Sequence, residues 1–175
     1  MEATSLIERL KRDHERVLRD VAELTHALER SPRTERRLAE VGRVLGMLEH
    51  QFQTHMAAED EVLYPAIARN IPPSAGSLEP LHDEHAELRQ MLYRLQATLR
   101  EERSPEREEQ IAVQVHDMAD LLRLHIRKEE ALVFHVAARL LDAGDIAAVL
   151  HRMNAGPRES AEAETTPLMK KGSSR

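Results

Sequence analysis

One polar pattern occurs twice in this chain, the second copy lying 70 to 71 positions after the first. The first copy runs Asp13-His14-Glu15, then His55, Glu59, Asp60, Leu63 and Tyr64; the second runs Glu84-His85-Ala86, then His125, Glu129, Glu130, Val133 and Phe134. His14 and His55 are 41 residues apart and His85 and His125 are 40 apart, so an acid-His dipeptide and a His-x3-Glu element keep both order and distance. The apolar residues repeat with them. Ile7, Leu10, Val17, Val21, Leu24 and Leu28 correspond, 71 positions on, to Leu78, Leu81, Leu88, Leu92, Leu95 and Leu99. Leu45, Leu48, Phe52, Val62, Leu63 and Ala66 correspond, 70 positions on, to Val115, Met118, Leu122, Leu132, Val133 and Val136. Both sets keep helical period, which predicts a duplicated helix pair and hence an up-down-up-down four-helix bundle.

The helix boundaries follow from caps and breakers. Ser5 with Glu8 reads as a capping box opening the first helix, which runs to Arg30. Arg30-Ser31-Pro32 and Arg103-Ser104-Pro105 each offer a Ser cap with Pro at the first helical position. The second helix runs from Pro32 to Asn70, where Ile71-Pro72-Pro73 ends it, and Gly42 and Gly46 inside it mark close packing or a late start. The third spans Leu78 to Glu102 and the fourth Pro105 to Leu141; after a stop at Ala143-Gly144 and a cap at Asp145, Ile146 to Met153 forms a short fifth. Residues 1–153 are thus expected to form one domain, and 154–175, rich in Pro, Glu, Ser, Thr and Lys, a disordered tail.

Composition narrows the function. Aromatics at 2% argue against a sheet, and a net charge of −6 with scattered Lys and Arg leaves no basic footprint for nucleic acid. No apolar run reaches the length of a membrane span, and Met1-Glu2-Ala3-Thr4 does not open a secretory signal, so a cytoplasmic location is the default expectation. Without cysteine there is no disulfide, thiolate ligand or Cys-held cluster.

At about 100° per residue, Glu59 lies about 40° from His55, and Leu48, Phe52, Val62 and Ala66 lie within about 60°. The polar residues therefore sit inside the buried stripe. One His-x3-Glu alone would read as a solvated surface pair. Two copies at equivalent places on apolar faces, each preceded by an acid-His on the neighbouring helix, place four imidazoles and two carboxylates in one core, which makes sense when cations neutralise them. The candidate metal ligands are His14, His55, Glu59, His85, His125 and Glu129, with His82, three residues before His85, as a possible addition. Imidazole and carboxylate together suit iron, manganese or zinc, and bridging carboxylates with several His favour a redox-active pair such as iron. His26, His50 and His116 fall on the far faces of their helices and read as exposed, His135 as an outer group, and His151 lies beyond the repeat. Tyr64 and Phe134 read as core and lid residues, Asp60 and Glu130 as solvated or supporting groups.

The order acid-His, His-x3-Glu, acid-His, His-x3-Glu over four helices resembles the hemerythrin-like, or HHE cation-binding, domain over residues 5 to 142. The resemblance implies a non-haem di-iron centre, carboxylate- and oxo-bridged, with His14 and His55 mainly on one iron, His85 and His125 on the other, and Glu59 and Glu129 bridging. Oxygen-carrying members pair His four apart on the third helix and place His-x4-Asp on the fourth. Here His82 and His85 are three apart and the fourth helix carries His125-x3-Glu129. That difference predicts reaction with oxygen or peroxide without a long-lived oxygen adduct. The expected ligand is dioxygen, peroxide or nitric oxide. Three function classes stay open: a module that senses, stores or scavenges iron or such a ligand; a di-iron enzyme of peroxide decomposition or iron-sulfur cluster repair; and a metal-free helical interaction module.

Overall fold

The computed structural model describes residues 2–29, 35–71 and 77–156, and every regular element among them is helical. Helix α1 spans Glu2–Glu29, α2 residues 35–70, α3 Glu79–Thr98, α4 residues 105–140 and α5 Ala143–Asn154. The four long helices close a ring: α1 packs along α2 and α4, and α3 packs along α4 and α2. The short α5 lies against α1 and α2. Among the described residues, no helix is long and apolar enough to cross a membrane.

Helical spacing of the apolar residues produces two buried clusters. One, around Val21, Leu24, Leu48, Leu88, Leu95 and Met118, fills one end of the ring. The other, around Leu6, Leu10, Leu63, Ile67, Val133 and Val149, fills the opposite end beneath α5. Each fully buried side chain of this size contributes about 1.5–3 kcal/mol relative to exposure. Between the clusters lies the polar layer that carries the repeated motif.

Local chemistry fixes the ends. Ser104 Oγ accepts a hydrogen bond from Arg107 N at 3.1 Å and caps α4, as the Ser-Pro pattern predicts. Arg107 is buried, and its guanidinium donates to the carbonyls of Thr98 and Leu99, satisfying acceptors that the end of α3 leaves open. Arg152 of α5 grips both oxygens of Glu61 at 2.7 and 3.2 Å, and Arg69 reaches Asp145 at 2.9 Å, so two ion pairs tie α5 to α2.

Several expectations need correction. Helix α1 is already formed at Glu2, so Ser5 lies inside it and is not its cap. The cap of α5 is Asp142, whose carboxylate accepts from Asp145 N at 2.8 Å, and the helix therefore includes Gly144. The expected Ser31 cap, the start at Pro32, the break at 72–76 and the tail from 157 lie outside the described residues. Gly42 and Gly46 mark no close approach, because a Cβ at either would meet no atom within 4 Å. Replacing either by Ala is expected to stabilise the protein by about 0.5–1 kcal/mol, read as a higher midpoint in chemical denaturation. A lowered midpoint would show a packing role that the open space does not suggest.

The largest departure is in helix geometry. Uniform α-helical spacing is expected through the motifs, yet α2 contains π-helical turns at Phe52–Met56 and Glu59–Leu63, and α4 contains one at Glu129–Val133. Pro65 is not the cause of the second turn, since the matching turn of α4 is followed by His135 in its place. What recurs is a Glu followed by a second acid at the first two positions of the turn. Such turns are frequent at functional sites. The altered register also leaves Leu132, expected on the apolar face, 64% exposed.

Candidate metal centre

The layer between the apolar clusters receives one His from each long helix and one Glu from each of two. His14 comes from α1, His55 and Glu59 from α2, His85 from α3, and His125 and Glu129 from α4, and all six are buried. Their inward atoms form two groups sharing Glu129: His14, His55, Glu59 and Glu129 offer ligand atoms within 4.8 Å of one another, and so do His85, His125 and Glu129. Glu59 also spans the pair, with Oε1 3.1 Å from His55 Nε2 and Oε2 3.6 Å from His85 Nε2. Glu129 Oε2 lies 3.1 Å from His14 Nε2 and 3.3 Å from His125 Nε2.

These residues fit a cation. Metal bonds of about 2.0–2.2 Å to imidazole and carboxylate put neighbouring ligands on one ion about 3 Å apart, which is the spacing between these donors. Both oxygens of Glu59, Oε2 of Glu129 and both ring nitrogens of His55 are buried without a hydrogen bond. Unpaired buried carboxylate oxygens are strongly unfavourable. A bound cation would give the carboxylate oxygens and His55 Nε2 a partner.

The outward nitrogens are supported as systematically. His14 Nδ1 pairs with Glu130 at 3.1 Å, His85 Nδ1 with Asp60 at 2.7 Å and His125 Nδ1 with Glu84 at 3.0 Å. His55 Nδ1 faces Asp13 at the longer distance of 3.7 Å. Each acid of an acid-His dipeptide therefore serves the imidazole of the next helix, and the acids after Glu59 and Glu129 serve the imidazoles of the other half. A carboxylate on Nδ1 draws the ring proton to that side and directs the Nε2 lone pair inward, the tautomer that binds metal.

A family comparison agrees with this geometry. The model of the hemerythrin HHE cation-binding domain matches residues 5–137. The chain belongs to this family. No curated protein matches it.

Within this hemerythrin-type site the halves are not identical. Phe134 stacks on His14 with ring centroids 5.3 Å apart, and Tyr64, its counterpart, stacks on His85 at 5.6 Å. Tyr64 is buried, as expected of a core and lid residue, but its hydroxyl also donates to Glu129 Oε1. His82 is not brought into the layer: its side chain is 59% exposed and its Nδ1 meets Asp60 at 3.0 Å on the outer side. A spacing of three turns it about 60° from His85, enough to leave the centre. His26, His50, His116, His135 and His151 are all exposed.

Electrostatics express the same shortage of positive charge. Burial opposes a charge on His55, but Glu59, Asp13 and Glu129 override it and raise its pKa to about 10. His125 is likewise raised against burial by Glu129 and Glu84. Burial pushes Glu129 up, yet the close approach of the His125 and His14 imidazoles holds its carboxyl well below the usual range. Asp60, also against burial, is lowered to about 2 by His85, Arg89 and His82. With no metal the layer therefore recruits protons; a cation supplies that charge and displaces them.

Sequence reasoning gives no role to Asp13 and Glu84, although the dipeptide itself was the available signal. It also misses Asp20 and Gln51. Both are buried, and Gln51 Nε2 donates to Asp20 Oδ2 at 2.7 Å. Their repeat counterparts are Met91 and Leu121, so two polar residues at apolar repeat positions were the signal.

Proposed function

We propose that this chain is a dinuclear non-haem iron protein that binds and reacts with a small ligand such as dioxygen, peroxide or nitric oxide. In this reading it is an up-down-up-down four-helix bundle that arose by duplication of a helix pair. His14 and His55 would hold one iron and His85 and His125 the other, with Glu59 and Glu129 as carboxylate ligands available to both. The observation that carries the reading is the convergence of four buried Nε2 atoms on two buried carboxylates. Every imidazole meanwhile faces a second carboxylate through Nδ1. Such outer partners are the usual companions of metal-binding imidazoles.

Iron, when bound, supplies redox electrons and open coordination positions, since six protein ligands do not fill two six-coordinate ions. The chain supplies the rest. Asp60, Glu84 and Glu130 orient their imidazoles, and the carboxylates neutralise the cations. Phe134 and Tyr64 cover two of the rings and limit water. The Tyr64 hydroxyl holds Glu129 Oε1 and leaves Oε2 toward His14 and His125.

Protein purified from iron-replete cells is expected to carry about two iron atoms per chain, measured by elemental analysis, with uptake restored after stripping. Protein that arrives metal-free and takes up no iron on reconstitution would overturn the assignment.

A further inference from the structure

Resting on the function proposed above, we propose that Gln51, fixed by Asp20, is a ligand-selecting residue that favours a small hydroxylic ligand, hydrogen peroxide, over dioxygen and nitric oxide. The second half of the repeat does without such a pair. The equivalent positions of the second half are Met91 and Leu121, which pack against the apolar cluster. A buried amide in that setting calls for a reason of its own.

Asp20 determines which way the amide faces. The Gln51 NH2 donates to Asp20 Oδ2 at 2.7 Å, which turns the amide nitrogen toward the carboxyl group. The carbonyl oxygen, Oε1, is thereby held away from Asp20, and it is buried with no hydrogen-bond partner. Gln51 lines a cavity of about 10 Å³ together with His14, His55, His125 and Glu129. That volume holds roughly one water-sized group. Gln51, with His55, also borders a polar pocket of about 310 Å³ lined by Arg9, Asp13, Arg16, His50 and Thr54. Gln51 is thus shared by the larger pocket and the small space beside four of the six candidate ligands.

A fixed acceptor without a donor discriminates by chemistry. Hydrogen peroxide carries an O–H that can donate to Oε1. Dioxygen and nitric oxide carry no hydrogen and gain nothing from it. A site that hydrogen-bonds a hydroxyl rejects analogues lacking one more strongly than an apolar pocket can discriminate.

The test compares iron-loaded, fully reduced wild type with Gln51→Leu, the side chain that the second half already uses at this position. Two measurements are made: the rate of oxidation by hydrogen peroxide, and the nitric oxide affinity from equilibrium titration of the visible spectrum. In the first, hydrogen peroxide takes one electron from each of two ferrous ions and combines with two protons, giving two ferric ions and two waters. Gln51→Leu is expected to slow this step about tenfold, the worth of one good hydrogen bond. Iron content and nitric oxide affinity should stay within about twofold of wild type. Asp20→Asn, which keeps the shape but frees the amide to turn over, should give a smaller loss with the same selectivity, and it carries the test if Gln51→Leu does not fold. Equal losses for both ligands, no loss for either, or a wild type that does not react with hydrogen peroxide would each overturn the proposal. A wild type that binds no iron would instead overturn the assignment of the centre.

Discussion

Stripping the metal with a strong chelator is expected to lower the melting temperature by about 15–30 °C, because in this layer binding free energy is also folding free energy. A cation present at a thousandfold above its Kd stabilises the native state by about 4 kcal/mol, and the proposed centre holds two. In a chain of this size each kcal/mol moves the melting temperature by about 2–4 °C. The apolar clusters on either side should still hold the stripped protein in a helical state at room temperature, since their buried side chains remain when the metal leaves. Calorimetry of stripped and reconstituted protein measures the shift. Identical transitions would show that the layer is neutralised by protons alone.

The pH dependence separates those two cases because its sign reverses. In the metal-free protein the pKa of His55 lies above its ordinary value of 6.5, at about 10, so its charge adds stability that is full below about 6.5 and lost as pH rises toward 10. In the metal-loaded protein the imidazoles must stay unprotonated on Nε2. There stability falls as pH drops and protons compete with the cation.

Much of this is legible in the sequence for a definite reason. A repeated pattern sets two segments of one chain side by side, and a polar residue that keeps its place on an apolar face in both, as His55 and His125 do, stands out against the repeat. The same comparison fails where the halves differ, which is why Asp20 and Gln51 escape it. It also cannot reveal which helices are neighbours across the ring. That Glu84 serves His125 while Asp60 serves His85 depends on helix packing, not on spacing. The π turns leave no trace in an apolar pattern read at 3.6 residues per turn, so the exposure of Leu132 contradicts α-helical arithmetic. His82 fails for the opposite reason. Its type and nearness to His85 suggest a ligand, but α3 is regular here and regular geometry carries it outward.

Substitutions should sort the polar residues into three tiers of iron loss. Replacing His55, His125, Glu59 or Glu129 with Ala removes a proposed ligand, and Glu129 faces imidazoles of both groups. These variants are expected to retain half of the iron or less, with Glu129→Ala retaining least. Glu84→Gln and Glu130→Gln leave the ligands in place but weaken the hold on the tautomer of His125 and His14, and should weaken metal affinity about 10- to 100-fold. Glu84→Gln should be the more severe of the two, since Glu84 also binds Lys128 and is better buried than Glu130. His26→Ala, His116→Ala and His82→Ala should keep full iron content. Elemental analysis, with competition against a chelator of known affinity, places each variant. The discriminating comparison is His82 against Glu84, because both lie within three residues of His85 and only Glu84 contacts a proposed ligand. If His82→Ala lost iron and Glu84→Gln did not, coordination would follow sequence proximity, and the arrangement of Nδ1 partners would have no part in holding the metal.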